Sequence, residues 1–136
     1  MTLERLARTD VVTVNVDDTI DDIVETMRTR NVGSVVVVDG GNPRGIVTDR
    51  DLVLYAMDGE DALTARNVMA EDLFTVDIGS DVFTVVNEMY ERKVRRVPVL
   101  ENGELAGIVT LDDFVGLLAA ELEKLAAIIE AESPRQ

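Results

Sequence analysis

The spacing of apolar positions changes several times along the chain of 136 residues, and each change predicts an element. Leu3, Leu6 and Ala7 suggest a helical turn in the lead-in. Val11-Val12-Thr13-Val14 is a β-branched run without helical period, which predicts a short buried strand. Asp17-Asp18-Thr19 follows, offering side-chain oxygens that cap a helix. Ile20, Ile23, Val24 and Met27 then form one apolar stripe at helical spacing, with Asp21, Asp22, Glu25 and Arg28 facing out. Gly33 is expected to break this helix. Val35-Val36-Val37-Val38 is apolar at every position, as in a strand covered on both faces. Dense turn chemistry at Asp39-Gly40-Gly41-Asn42-Pro43 leads to Gly45-Ile46-Val47, its expected partner strand. Thr48 opens a second helix through Leu52, Val53, Tyr55 and Ala56.

The pattern then restarts. A shift of 62 residues aligns 6–53 with 68–115 without a gap, with about 16 identities in 48 positions. The helical stripe returns as Val82, Val85, Val86 and Met89, Val35 and Val37 return as Val97 and Val99, and Gly41 returns as Gly103. Two tandem β-α-β-β-α units predict an α/β (α+β) protein whose repeats pack face to face with pseudo-twofold symmetry, followed by a C-terminal helix. Neither unit of about 50 residues buries much alone, so the pair is the expected folding unit. The boundaries expected are 1–57 for the first repeat with its lead-in, 58–67 for a connector with Gly59 as helix stop, 68–116 for the second repeat, and 117–136 for the C-terminal helix and tail. In that helix Leu118, Leu122, Leu125 and Ile129 alternate steps of four and three. Two readings stay open: the helix covers the sheet of its own chain, or it pairs with the same helix of a second chain. Ser133-Pro134-Arg135-Gln136 is expected to fray.

Composition narrows the function classes. Cysteine and histidine are absent, which removes disulfides, the usual zinc ligands and the commonest general base. There is no Ser-x-Gly elbow and no glycine loop followed by Lys, and Asp58-Gly59-Glu60-Asp61 lacks the spacing of a calcium loop. The chain is therefore not expected to be an enzyme, with no catalytic residue and no metal site of its own. No apolar run approaches the roughly 20 residues of a membrane span, and Met1-Thr2-Leu3-Glu4-Arg5 carries no hydrophobic signal region. A cytoplasmic protein without membrane contact is the expectation. The net charge of −14 argues against nucleic-acid binding, which needs clustered basic residues. Asp outnumbers Glu, and two lysines stand beside eleven arginines. That balance resembles proteins of salt-loving organisms, so a halophilic archaeon is the expected source.

The candidate chemistry sits where each hairpin runs into a helix. Gly45-Ile46-Val47-Thr48-Asp49-Arg50-Asp51 returns as Gly107-Ile108-Val109-Thr110-Leu111-Asp112-Asp113. A helix N-terminus offers free backbone N–H groups to a phosphate. A carboxylate there can accept hydrogen bonds from a ribose diol, a threonine hydroxyl can donate to phosphate or sugar oxygen, and the glycine admits close backbone approach. Thr-x-x-Asp is equally close to a capping box that satisfies the helix end and binds nothing. Lys93, Arg95 and Arg96 stand before the strand Val97-Pro98-Val99-Leu100, and three basic residues in four positions suggest an anion site in an acidic chain. The first repeat has Gly33-Ser34 in place of Arg95-Arg96 but carries Arg50 where the second has Asp112, so the two clefts are not equivalent.

A tandem β-α-β-β-α repeat ending each time in Gly-h-h-Thr-x-x-Asp (h, apolar) resembles a pair of CBS domains, the family named after cystathionine β-synthase. Lys93-Val94-Arg95-Arg96-Val97-Pro98-Val99 also resembles the family's second strand entry, and the likeness runs from about residue 6 to 116. The resemblance implies a regulatory module that binds AMP, ADP, ATP, S-adenosylmethionine or sometimes NAD between the repeats. It implies that Asp51 and Asp113 hold ribose hydroxyls, and that Thr48 and Thr110 bind ribose or phosphate. Arg95, Arg96 and Arg50 would meet phosphates, and the base would lie against Val14, Val36, Val76 and Pro98. It implies a homodimer, a flat disc of four CBS domains, acting on a separate protein target. The nucleotide could carry a magnesium ion held by carboxylates such as Asp112-Asp113. The competing expectation is a structural or adaptor module with empty clefts, assembled through the terminal helix.

Overall fold

The computed structural model describes residues 1–58, 64–70 and 73–132. The helix stop expected at Gly59, residues 60–63 of the expected connector and the Ser133–Gln136 end expected to fray lie outside the described residues. After a 3-10 turn at Leu3–Arg5, the first repeat runs β1 (Thr13–Asn15), α1 (Ile20–Arg30), β2 (Ser34–Asp39), β3 (Asn42–Thr48) and α2 (Asp49–Asp58). A short helix α3 (Ala65–Val68) leads into the second: β4 (Val76–Asp77), α4 (Val82–Arg92), β5 (Arg96–Glu101), β6 (Glu104–Thr110) and α5 (Leu111–Glu132). Each repeat forms a three-stranded sheet, β1-β2-β3 or β4-β5-β6, whose first pair is parallel and second antiparallel. Both hairpins turn on residues of positive φ (Gly40 and Gly41, Asn102 and Gly103), and a bulge follows Val37 in one and Val99 in the other.

The helices begin where side-chain oxygens invite them. Thr19 and Asp22 form a reciprocal capping box on α1, and Asp81 accepts from the backbone N–H groups of Phe83 and Thr84 on α4. The helix end expected at Gly33 comes earlier. Asn31 closes α1 in the left-handed region, and Lys93 closes α4 at the matching place.

Strand alternation separates two faces. Val14, Val35, Val37 and Val47 pack with Ile23 and Met27, while Val76, Val97, Val99 and Val109 pack with Val85, Met89 and Phe114. The intervening residues point away from the helices, toward the other repeat: Val36 lines a cleft with Ile108, and Ile46 lines one with Arg96.

The lead-ins cross between repeats. Leu3 is fully buried in the core of the second repeat, with Leu6 and Ala7 packed behind it. Its N–H donates to Ser80, and Arg8 exchanges backbone hydrogen bonds with Ile108. Ala65, Val68 and Met69 pack instead into the core of the first repeat, and the Ala70 N–H donates to Ile46. Residues 8 and 70, like 46 and 108, are one repeat shift apart, so the exchange obeys the pseudo-twofold. The repeated glycines make it possible. A Cβ on Gly45 would sit 2.7 Å from the Ala70 carbonyl oxygen, and one on Gly107 would sit 2.7 Å from that of Arg8.

Helix α5 is 22 residues long, or about 33 Å. Phe114 is buried and Leu117 half-buried, but Leu118, Leu122, Leu125 and Ile129 are 53, 65, 56 and 70% exposed. The reading in which this helix covers its own sheet therefore holds only for its first two turns. From Leu118 to Glu132 every residue of the helix is exposed. Among the described residues no helix is long and apolar enough to cross a membrane.

Candidate functional site

Both junctions are built as capping boxes. The Thr48 N–H donates to Asp51 Oδ2 at 2.9 Å, and the Asp51 N–H donates back to Thr48 Oγ1 at 3.1 Å. In the second repeat the Thr110 N–H and hydroxyl both donate to Asp113 Oδ2, at 2.9 and 3.0 Å, and the Asp113 N–H returns to Thr110 Oγ1 at 3.3 Å. One oxygen of each aspartate is thus committed to the start of its helix. The other oxygen distinguishes the two. Asp51 Oδ1 has no partner among the described residues, whereas Asp113 Oδ1 receives Arg8 through Nε at 3.0 Å and Nη2 at 2.9 Å. The Asp113 side chain is 8% exposed.

Two clefts open between the repeats. The first, about 680 Å³, is lined by Thr48, Arg50, Asp51, Arg95, Arg96 and Thr110, with Ile46, Leu54, Ala70 and Leu111 as its apolar part. Asp49 and Asp112 stand beside them. Arg50 and the Arg95-Arg96 pair, which lie on different repeats, therefore meet in one cleft. No ion pair among the described residues engages any of the three. The second cleft, about 550 Å³, has an apolar floor of Val12, Val32, Val36 and Ile108, with Arg8, Arg30 and Asp112 around it. Both volumes fall within the roughly 300–1,000 Å³ of small-molecule sites.

Of the residues expected to meet a base, only Val36 lines a cleft, the second one. Pro98 points the same way but is fully buried. Val14 and Val76 belong to the two helix-side cores and line neither cleft. An apolar run covered on both faces carries no phase, so it does not show which alternate residues turn inward. Ile46, paired with Val36 on the neighbouring strand, is the apolar residue of that sheet's hairpin that lines the first cleft. Lys93 is spent on the α4 cap and stands in a separate apolar groove with Val86, Tyr90 and Val115. Arg8 was outside the expected site. Its only sequence signal is that it aligns with Ala70, and alignment does not reveal how far a side chain reaches.

A family model for the CBS domain matches residues 3–58 and again 65–120. The chain belongs to the CBS domain family. Each match begins with a crossing lead-in, so the family unit includes both Leu3 and Ala65. An uncharacterised protein of Methanopyrus kandleri is 36% identical over 115 residues, covering 81% of this chain and 59% of its own length. The CBS domain-containing protein YhcV of Bacillus subtilis is 33% identical, covering 77% of this chain and 76% of its own. The chain spans 59, 32 and 40% of the length of the Methanopyrus protein and of two Methanocaldococcus jannaschii relatives. Among solved structures, a CBS-domain protein of Agrobacterium tumefaciens superposes with a TM-score of 0.74 at 33% identity, over 86% of this chain and 98% of that one. The CBS domain pair of protein MJ0100, in complex with 5'-methylthioadenosine and S-adenosyl-L-methionine, superposes with a TM-score of 0.80 at 20% identity, over 89 and 98%. The relatives spread over Methanopyrus, Bacillus and, at 31% identity, Arabidopsis thaliana, which lends no support to the salt-loving source suggested by the charge.

Proposed function

We propose that this CBS pair is a regulatory module that binds a phosphorylated adenosine in the cleft at Thr48 and Asp51, and signals through the relative setting of its repeats. One observation carries this reading: three guanidiniums converge on the cleft whose junction carboxylate keeps an oxygen without a partner among the described residues. That oxygen suits a ribose diol. The start of the ten-residue α2 and the planar donors of Arg50, Arg95 and Arg96 suit phosphate, and Ile46 and Leu54 offer apolar surface to a base. The MJ0100 pair is described with adenosine compounds, which supports the ligand class at the level of the fold. The arginines favour phosphate over a sulfonium cation, which they would repel.

Titration calorimetry in molar KCl with AMP, ADP, ATP, S-adenosylmethionine and NAD tests this. The expected result is saturable binding of the adenine nucleotides, tighter with more phosphates, and weakened about tenfold or more by Arg95→Ala or Arg96→Ala. No heat from any of the five on folded protein would refute it. The second reading, an assembly module, rests on the exposed apolar stripe of α5 and would then stand alone.

A further inference from the structure

The pseudo-twofold invites the expectation of two ligands per chain; the two clefts share Ile46 and Ile108, and Thr48 and Thr110, but differ at the matched positions that carry charge. Where the first has Ala70, the second has Arg8; where the first has Arg50, the second has Asp112; where the first has Arg95-Arg96, the second has Gly33-Ser34. Each exchange removes a phosphate partner from the second cleft or consumes its carboxylate. We infer that Arg8 occupies the sugar-binding carboxylate of the second junction, so that the chain has one nucleotide site and a second cleft silenced from within. This rests on the function proposed above.

Arg8 is placed there by its backbone. Its N–H donates to the Ile108 carbonyl at 3.0 Å, and the Ile108 N–H returns to the Arg8 carbonyl at 3.0 Å. The bare α-carbon of Gly107 lets that strand of lead-in lie against β6. From this anchored Cα the guanidinium reaches Asp113 Oδ1 with two nitrogens. With Oδ2 already holding the Thr110 N–H and hydroxyl, neither oxygen is left for a ribose diol. The apolar floor of the second cleft remains, formed by Val12, Val32, Val36 and Ile108. Removing the Arg8 side chain therefore leaves a base-sized apolar surface and a free Asp113 Oδ1, with Arg30 beside Asp112 in place of the three converging arginines. Such a cleft would take an uncharged nucleoside.

Calorimetry on the full chain, with ATP and adenosine as probes, tests the inference. Wild type is expected to bind one ATP per chain, and Asp51→Ala to lose about tenfold or more in affinity for both probes. Adding Arg8→Ala to Asp51→Ala should restore saturable adenosine binding, and adding Asp113→Ala to that pair should abolish it again. Arg8→Lys in the Asp51→Ala background should restore nothing, because the ammonium keeps the carboxylate engaged. Thermal unfolding by circular dichroism shows whether each variant is folded, and Arg8→Gln replaces Arg8→Ala if the latter is not. Two ATP per wild-type chain, or no recovery in the folded double variant, would overturn the inference while leaving the proposed function intact. No binding of either probe by wild type would overturn both.

Discussion

At Thr48–Asp51 the residues that start a helix would, on the proposed function, also recognise a sugar, and one carboxylate has an oxygen for each role. Asp51 Oδ2 caps the helix, and Asp51 Oδ1 has no partner among the described residues. The two roles separate in a pair of substitutions. Asp51→Asn keeps an oxygen that accepts from the Thr48 N–H, so its stability should stay within a few tenths of a kcal/mol of wild type. Asp51→Ala loses the cap and should cost about 1 kcal/mol. If Oδ1 binds ribose, both should weaken ATP by about tenfold or more, since a neutral amide is a poorer partner for a diol than a charged carboxylate. Melting curves alongside calorimetry read the two effects independently. A stability loss in Asp51→Ala with unchanged affinity in both variants would reduce the motif to a capping box.

The lead-ins show what an element contributes when it packs against the other repeat and not the one it adjoins in sequence. Leu3 is the third residue of the chain, yet it is among the fully buried side chains of the second repeat. Leu3→Ala should destabilise by about 2–5 kcal/mol, as for a large residue removed from a packed core. Gly107→Ala, which drives a Cβ into the Arg8 carbonyl, should cost about 1–3 kcal/mol. Chemical denaturation measures both, and a loss under 0.5 kcal/mol for Leu3→Ala, well below the usual range for a core truncation, would mean the lead-in is not docked in solution. The repeat itself was legible because its signals are local: helical stripes, the turn at Gly40-Gly41 and a junction heptapeptide that recurs with a shift of 62. The crossing was not. Leu3, Leu6 and Ala7 announce that they are buried, but apolarity does not say against which of two similar sheets. The close approach at Gly45 and Gly107 was legible as a steric requirement, and only the fold reveals that the approaching backbone comes from the opposite lead-in. The same limit explains Val14 and Val76, whose burial was plain and whose face was not.

For the whole molecule, two surface properties oppose each other on α5. Its apolar stripe, Leu118, Leu122, Leu125 and Ile129, stands off the body at heptad-like spacing, and the groove at its root adds Val86, Tyr90 and Val115. A second copy of the helix would cover that stripe by the same knobs-into-holes contacts on both sides. Yet the chain carries a net charge of −14, and Glu121, Glu123, Glu130 and Glu132 flank the stripe with Lys124 as the one cation of the described helix. Bringing two such helices together in dilute buffer sets like charges within the roughly 10 Å over which 0.1 M salt leaves them unscreened, whereas at 1 M that distance shrinks to about 3 Å. Apolar burial is not weakened in the same way. Association should therefore tighten as KCl rises from 0.1 to 2 M, and sedimentation velocity at fixed protein concentration should show the shift from monomer toward dimer. Leu122→Glu, which places a charge in the middle of the stripe while leaving the core untouched, should hold the chain monomeric at every salt concentration without lowering its melting temperature at low salt. A wild-type chain that stays monomeric at 2 M KCl would remove the assembly role from α5. A dimer that survives Leu122→Glu would move it to the outer faces of α2 and α4, where Val53, Met57 and Phe83 are also exposed.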